Sequence, residues 1–195
     1  MAASDPNFFP RLAEAQTPRF LWIGCADSRV PADALTGPPP GDLFVHRNVA
    51  NIVSHSDLNC LSVLQFAVDV LKVRYIIICG HSRCGGIKAA LEGACHGLVD
   101  EWLYPVREII NAHRAELEAI NVRERRLDYL CELNILHQIT STAETTIVQK
   151  AWRQRQSLMI HGWSYKLSDG LLHDLGQYLE SDEELKKMKA SYLCA

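Results

Sequence analysis

Three short apolar runs constrain this chain more than any other feature. Phe20-Leu21-Trp22-Ile23-Gly24, Leu43-Phe44-Val45 and Tyr75-Ile76-Ile77-Ile78-Cys79 are too short for helices and lack the polar alternation of a half-wet strand. Such runs, rich in aromatic and β-branched residues, read as buried strands. Leu158-Met159-Ile160 adds a fourth candidate. Between them the pattern turns helical. Ser56 or Asp57 can cap a helix whose Leu61, Leu64, Val68 and Leu71 share one face. Ile87 to Leu91 begins another after Gly85-Gly86, the stretch from about Val99 to Lys150 is mainly helical, and Asp182 to Lys189 forms a last polar helix. Buried strands alternating with helices predict an α/β fold, a mainly parallel central sheet flanked by helices with helical extensions. No repeat, low-complexity tract or linker divides the chain, and Pro38-Pro39-Pro40-Gly41 reads as a turn, so residues 1–195 are expected to form one domain.

Sites in such sheets form at the carboxyl ends of strands. Two of the predicted strands end in residues that bind metals: one runs into Cys25, the other into Cys79-Gly80-His81. The seven cysteines are odd in number and include no CxxC pair, which argues against a disulfide framework, a thioredoxin-like site and an ordinary zinc finger. Any metal must be assembled from distant segments. The formal charge of −3 gives no electrostatic case for nucleic acid or an anionic membrane as partner, and no apolar run is long enough to span a bilayer. Met1 to Pro10 has neither a basic patch nor an apolar core of a signal peptide, so a cytoplasmic protein is expected.

Cys25-Ala26-Asp27-Ser28-Arg29 brings a thiol, a carboxylate and a guanidinium to one strand end, and His81-Ser82-Arg83-Cys84-Gly85-Gly86 brings an imidazole and a second thiol to the other. Cys25, His81 and Cys84 are ligands of the kinds zinc prefers, and three of them leave a fourth tetrahedral position open. On spacing alone, buried cysteines and a satisfied core histidine explain the pattern equally well. Asp27 beside Arg29 is ordinarily a plain salt bridge. At a zinc site the pair has a use: a carboxylate kept ionised can accept a proton from a zinc-bound hydroxide and aim its lone pair at substrate, or bind the metal itself.

Cys-x-Asp-x-Arg followed by His-x-x-Cys-Gly-Gly resembles the signature of the β-class carbonic anhydrases. The likeness continues through Val30-Pro31-Ala32, Gly41 to Asn51, Ile76 to Gly80 and His161-Gly162-Trp163, and so covers the chain from about Phe8 onward. The resemblance implies one Zn²⁺ per chain on Cys25, His81 and Cys84. It also implies a catalytic dyad of Asp27 and Arg29, with Asp27 as fourth ligand in a closed state. The implied reaction is reversible hydration of carbon dioxide to bicarbonate and a proton by zinc-bound hydroxide, in a homodimer or homotetramer. Where one group of the family carries an active-site glutamine, this chain has Pro39. Trp22, Arg47 and Tyr165 match a bicarbonate-binding regulatory pocket, with Asp33 as the acidic partner of Arg47, which is similar to the bacterial, bicarbonate-regulated type II group. By that likeness bicarbonate inhibits allosterically: it parts Asp33 from Arg47, Arg29 releases Asp27, and Asp27 closes the zinc site. The extra N-terminal helix of bacterial relatives, which reaches over a neighbouring subunit, has no room before Phe8.

Two other readings use the same residues: a hydrolase of carbonyl sulfide or carbon disulfide, and a non-catalytic zinc protein that senses bicarbonate. Cys60, Cys79, Cys95, Cys131 and Cys194 are expected to be buried or incidental thiols. Arg123-Glu124-Arg125-Arg126 reads as a solvated helix face. Phe8 and Phe9 read as packing anchors or as a surface facing a partner subunit. Among the remaining histidines the sequence selects no proton shuttle.

Overall fold

The structure, a computed structural model, describes residues 5–93 and 95–192; Cys194 lies outside them. Strands β1 (Phe20–Cys25), β2 (Leu43–Asn48), β3 (Tyr75–His81), β4 (Met159–Lys166) and β5 (Leu171–Leu179) form one sheet in the order β2-β1-β3-β4-β5. The first four are parallel, as their apolar runs predict, and β5 returns antiparallel to β4. β5 was not expected. Its His173, Asp174 and Gln177 break up the apolar signal, and it forms because the turn through Gly170 (φ +72°) folds it back along β4 as an edge strand.

Helices α1 (Phe8–Glu14) and α2 (Ala32–Thr36) also escaped the pattern, being too short to show a period. Helix α3 (Leu58–Gln65) is capped by Asp57 rather than Ser56: the Asp57 carboxylate accepts the Asn59 N–H at 3.0 Å. The helix then widens over Phe66–Val70, where Leu71 N–H reaches back to the Phe66 carbonyl. That wider turn shifts the face, so Leu64 and Val68 are fully buried while Leu61 and Leu71 are only half-buried. The helix expected from Ile87 is α4 (Gly85–Glu92), and the stretch from about Val99 to Lys150 resolves into α5 (Leu98–Trp102), α6 (Tyr104–Ala112), α7 (Arg114–Ala119), α8 (Arg123–Glu144) and α9 (Thr146–Arg153). Helix α10 (Asp182–Tyr192) follows β5. Among the described residues no helix is long and apolar enough to cross a membrane.

Leu21, Ile23, Ile76, Ile78 and Ile160 point to one side of the sheet and pack with Leu64, Val68, Ile135, Ile139, Val148 and Leu185 from the helices. Each fully buried aliphatic side chain contributes about 1.5–3 kcal/mol. Helix α8 lies close on β4 because Gly162 has no side chain: a Cβ there would stand 2.5 Å from Ile139 Cδ1. On the other side Trp22, Ile77 and Cys79 pack with Trp163 and Tyr165. A third cluster, at the carboxyl ends of β1 and β3, joins Cys25 and Cys84 to Ala50, Ile87 and residues of α6 and α8. The neighbouring parallel strands pair Gly24 with Cys79, so the chain leaves both at one level and brings Cys25 beside His81.

Candidate metal centre

The loop after β3 makes the site. Arg83 adopts a left-handed conformation (φ +55°), which costs an ordinary residue about 1–2 kcal/mol, and its N–H is held by Asp128 Oδ1 at 3.2 Å. The turn it creates makes Cys84 the N-terminal cap residue of α4 and brings its sulfur within 3.8 Å of Cys25 Sγ. The donor atoms of Cys25, His81 and Cys84 all lie within 4.8 Å of one another, and all three residues are buried. The expected ligand set is thus brought together.

The imidazole is oriented for coordination. His81 Nδ1–H donates to the Ser82 carbonyl at 2.9 Å, which leaves the Nε2 lone pair facing inward, where it has no hydrogen-bond partner. A metal-binding histidine is typically held this way, one nitrogen on a carbonyl and the other on the metal. The two sulfurs form a contact in which either can donate, and that contact lowers the Cys25 pKa and raises that of Cys84. Two sulfurs each about 2.3 Å from a tetrahedral zinc ion stand about 3.8 Å apart, the separation found here. The donors present fit Zn²⁺.

Asp27 and Arg29 form the expected pair. Arg29 Nε and Nη2 donate to Oδ1 and Oδ2 at 2.9 and 2.6 Å, and the Arg29 backbone N–H adds a third bond at 3.0 Å. Chiefly through the guanidinium, the Asp27 carboxyl is held well below the usual carboxylate range. Its Oδ2 lies 3.7 Å from His81 Nε2, at the edge of the donor cluster.

The expected regulatory residues are placed differently from one another. Trp22, 2% exposed, is core, and half-buried Tyr165 packs in the same small cluster. Arg47 sits beside Gly24 on the neighbouring strand, where its Nε donates to the Cys25 carbonyl at 2.8 Å and its Nη2 to the Asp27 carbonyl at 2.5 Å. Among the described residues no ion pair joins Arg47 to Asp33, which lies on α2. The expected Asp33–Arg47 ion pair does not form; the guanidinium is drawn instead to the loop that carries Cys25 and Asp27.

Sequence reading missed the anchors of this site: the Ser82 carbonyl, the Asn48 carbonyl that accepts Ala26 N–H at 2.8 Å, and Asp128. Two of them are backbone groups, which leave no mark on residue identity. It also missed a second group of donors, His46, Asp57 and Cys60, likewise within 4.8 Å of one another. Of the thiols expected to be buried or incidental, Cys60, Cys79 and Cys131 are buried and Cys95 is exposed, all of them free.

The sequence profile of the family described as carbonic anhydrase matches residues 20–172. The carbonic anhydrase of Emericella nidulans is 44% identical over 172 residues, 88% of this chain and 75% of that protein. One of two tetrameric β-carbonic anhydrases of Sordaria macrospora superposes with a TM-score of 0.87 at 41% identity, covering 91% of this chain and 90% of the other. The Coccomyxa β-carbonic anhydrase solved with acetazolamide gives a TM-score of 0.90 at 36% identity over all of this chain and 91% of its own. With strand order, strand-end donors and whole-chain similarity in agreement, the chain belongs to the β-class carbonic anhydrase family.

Proposed function

We propose that this carbonic anhydrase holds one zinc ion per chain on Cys25 Sγ, His81 Nε2 and Cys84 Sγ, and that Asp27 and Arg29 are its catalytic dyad. The observation that carries this reading is the 3.8 Å separation of the sulfurs beside a buried, unpartnered imidazole nitrogen. Zinc in such a site acts as a Lewis acid that makes water a nucleophile near neutral pH. Asp27 does the positioning. Because three N–H groups keep it ionised, its Oδ2 can only accept, so a hydroxyl group beside it must spend its proton there and turn a lone pair toward carbon dioxide. Arg29 holds that carboxylate off the metal position. The apolar residues around the sulfurs, Val30, Ala50 and Ile87 among them, keep bulk water from diluting these interactions. Zinc content together with stopped-flow carbon dioxide hydration across pH tests the reading. We expect one zinc per chain and a rate that rises on the alkaline side of neutrality, since two thiolates neutralise the ion and leave its water less acidic than at a three-histidine site. A zinc-loaded protein without hydration activity would overturn it.

Bicarbonate control is the finer part of the proposal. Trp22, Arg47 and Tyr165 match the bicarbonate-regulated group, although the relatives of higher identity include fungal enzymes. Arg47 supports the reading through its bonds to the carbonyls of Cys25 and Asp27. An anion that draws the guanidinium away loosens the loop bearing both a ligand and the dyad carboxylate, with no need of Asp33. Arg47→Ala is expected to abolish sigmoidal bicarbonate inhibition, whereas Asp33→Asn leaves it in place. Unchanged sigmoidal dependence in the Arg47 variant would remove the idea. The naming of the Sordaria enzymes as tetrameric supports a homodimer or homotetramer here too, which light scattering measures directly.

A further inference from the structure

We infer that Asn134 and Gln138, buried on α8, are positioning residues that hold the turn Val49–Asn51 against the metal-binding loop. The inference rests on the zinc site proposed above. Ala50 (φ +64°) and Asn51 (φ +45°) are consecutive non-glycine residues in the left-handed region, an arrangement that relaxes unless its surroundings hold it. Among the described residues the turn is closed locally by the Asn48 side chain, while Asn51 Nδ2 is buried without a partner. The rest of the hold comes from other segments. Asn134 Nδ2 donates to the Ala50 carbonyl at 2.9 Å, Gln138 Nε2 donates to Asn134 Oδ1 at 3.0 Å, and Gln138 Oε1 accepts Val53 N–H at 2.8 Å. Around them Trp102 Nε1 donates to the Val49 carbonyl, Asn48 brackets both backbone groups of Ile52, and Ser141 Oγ donates to the Val53 carbonyl. Asn134 and Gln138 are 1% and 3% exposed. In that setting an amide hydrogen bond is costly to leave unmade, so the ladder is rigid.

The held turn presses on the residues that flank the ligands. A Cβ at Gly86, two residues past Cys84, would stand 2.8 Å from Val49 Cγ1 and 3.3 Å from Ala50 Cβ. Asn51 Oδ1 lies 3.4 Å from the Cβ position of Gly80, the residue before His81. Ala50 itself is fully buried in the cluster that contains Cys25 and Cys84. Releasing the turn therefore removes the wall behind His81 and Cys84 without touching a ligand.

Cobalt-substituted protein reads the ligand geometry directly through its visible absorption bands. Asn134→Ala is expected to load cobalt fully yet show altered bands. In the zinc enzyme kcat should fall about tenfold with KM within about twofold, the pattern of a misplaced site rather than lost substrate binding. Thr140→Val, a buried change on the same helix, should leave bands and kcat as in the wild type. The double variant Asn134→Ala/Ala50→Gly should regain the wild-type bands, because glycine adopts the left-handed conformation without strain. Should Asn134→Ala not fold, Asn134→Asp, which keeps the acceptor for Gln138 and loses the donor to Ala50, carries the same expectation. Fully loaded variants with wild-type bands and kcat would overturn the inference, as would an equal change in Thr140→Val. Wild-type protein that takes up cobalt without thiolate-to-metal absorption would instead overturn the zinc reading.

Discussion

Among the described residues two regions gather three potential metal-binding side chains within the same 4.8 Å, and the two differ in how their donors are placed for coordination. At Cys25, His81 and Cys84 the imidazole Nε2 has no partner, and the sulfurs stand at the spacing tetrahedral zinc requires. At His46, Asp57 and Cys60 the imidazole Nε2 and the carboxylate are already engaged. Asn48 is locked by Ile52, whose N–H it accepts and to whose carbonyl it donates, so its remaining amide hydrogen faces His46 Nε2 at 3.2 Å and makes that nitrogen an acceptor. Asp57 caps α3, and burial pushes the Cys60 thiol up to about 12. Proximity of donors does not make a site. A lone pair left free, on a side chain oriented by something else, does.

The comparison breaks most visibly at the first cluster. Cys84→Ser or Cys25→Ser should lose bound zinc, with hydration falling by about a thousandfold or more, because it is the ion that lowers the pKa of water far below its bulk value. Retained zinc in either variant, measured by atomic absorption, would show that the sulfurs do not share an ion. Asp27→Asn comes next. It should keep zinc and lose about a hundredfold in kcat, since the amide cannot accept as the carboxylate does. The wild-type acid limb should not report Asp27 at all. A carboxyl held below its usual range is ionised throughout the neutral and mildly acidic region, so its effect is lost only as pH falls through that depressed value.

Changes at the second cluster should be small, which sharpens the contrast. Cys60→Ser should leave zinc content unchanged and kcat/KM within about twofold of wild type. A second equivalent of zinc bound tightly by the wild type but not by Cys60→Ser would erase the distinction drawn here. Asp57→Ala should cost about 1 kcal/mol of stability in urea unfolding through the lost cap, with zinc unaffected.

An imidazole pair lies outside both clusters. His113 Nε2 and His137 Nε2 face each other at 3.2 Å, and burial, aided by His113, lowers the His137 pKa from 6.5 to about 4. The unfolded chain then binds a proton that the folded one refuses, so this contribution to stability is lost as pH falls from about 6.5 toward 4. His137→Gln should flatten the fall in urea midpoint over that interval without altering zinc content.

The apolar runs of β1 and β3 determined the parallel sheet and placed candidate metal donors at the strand ends. Residue type and burial are enough to say where such strands stop, whereas the family resemblance, not spacing, singled out Cys25, His81 and Cys84. The same local signals were silent on β5, whose polar residues pair only because β4 is present, and on α1 and α2, too short to display a period. They were silent, too, on which of two donor clusters is free, because that depends on backbone carbonyls and an amide fixed by a neighbouring residue. Arg47 shows the limit most clearly. Its identity marked it as important, but only the packing of β2 against β1 decided that its guanidinium goes to the carbonyls of Cys25 and Asp27 rather than to Asp33. Hydrogen-bond partners distant along the chain are chosen by geometry, and geometry is settled only once the core has closed.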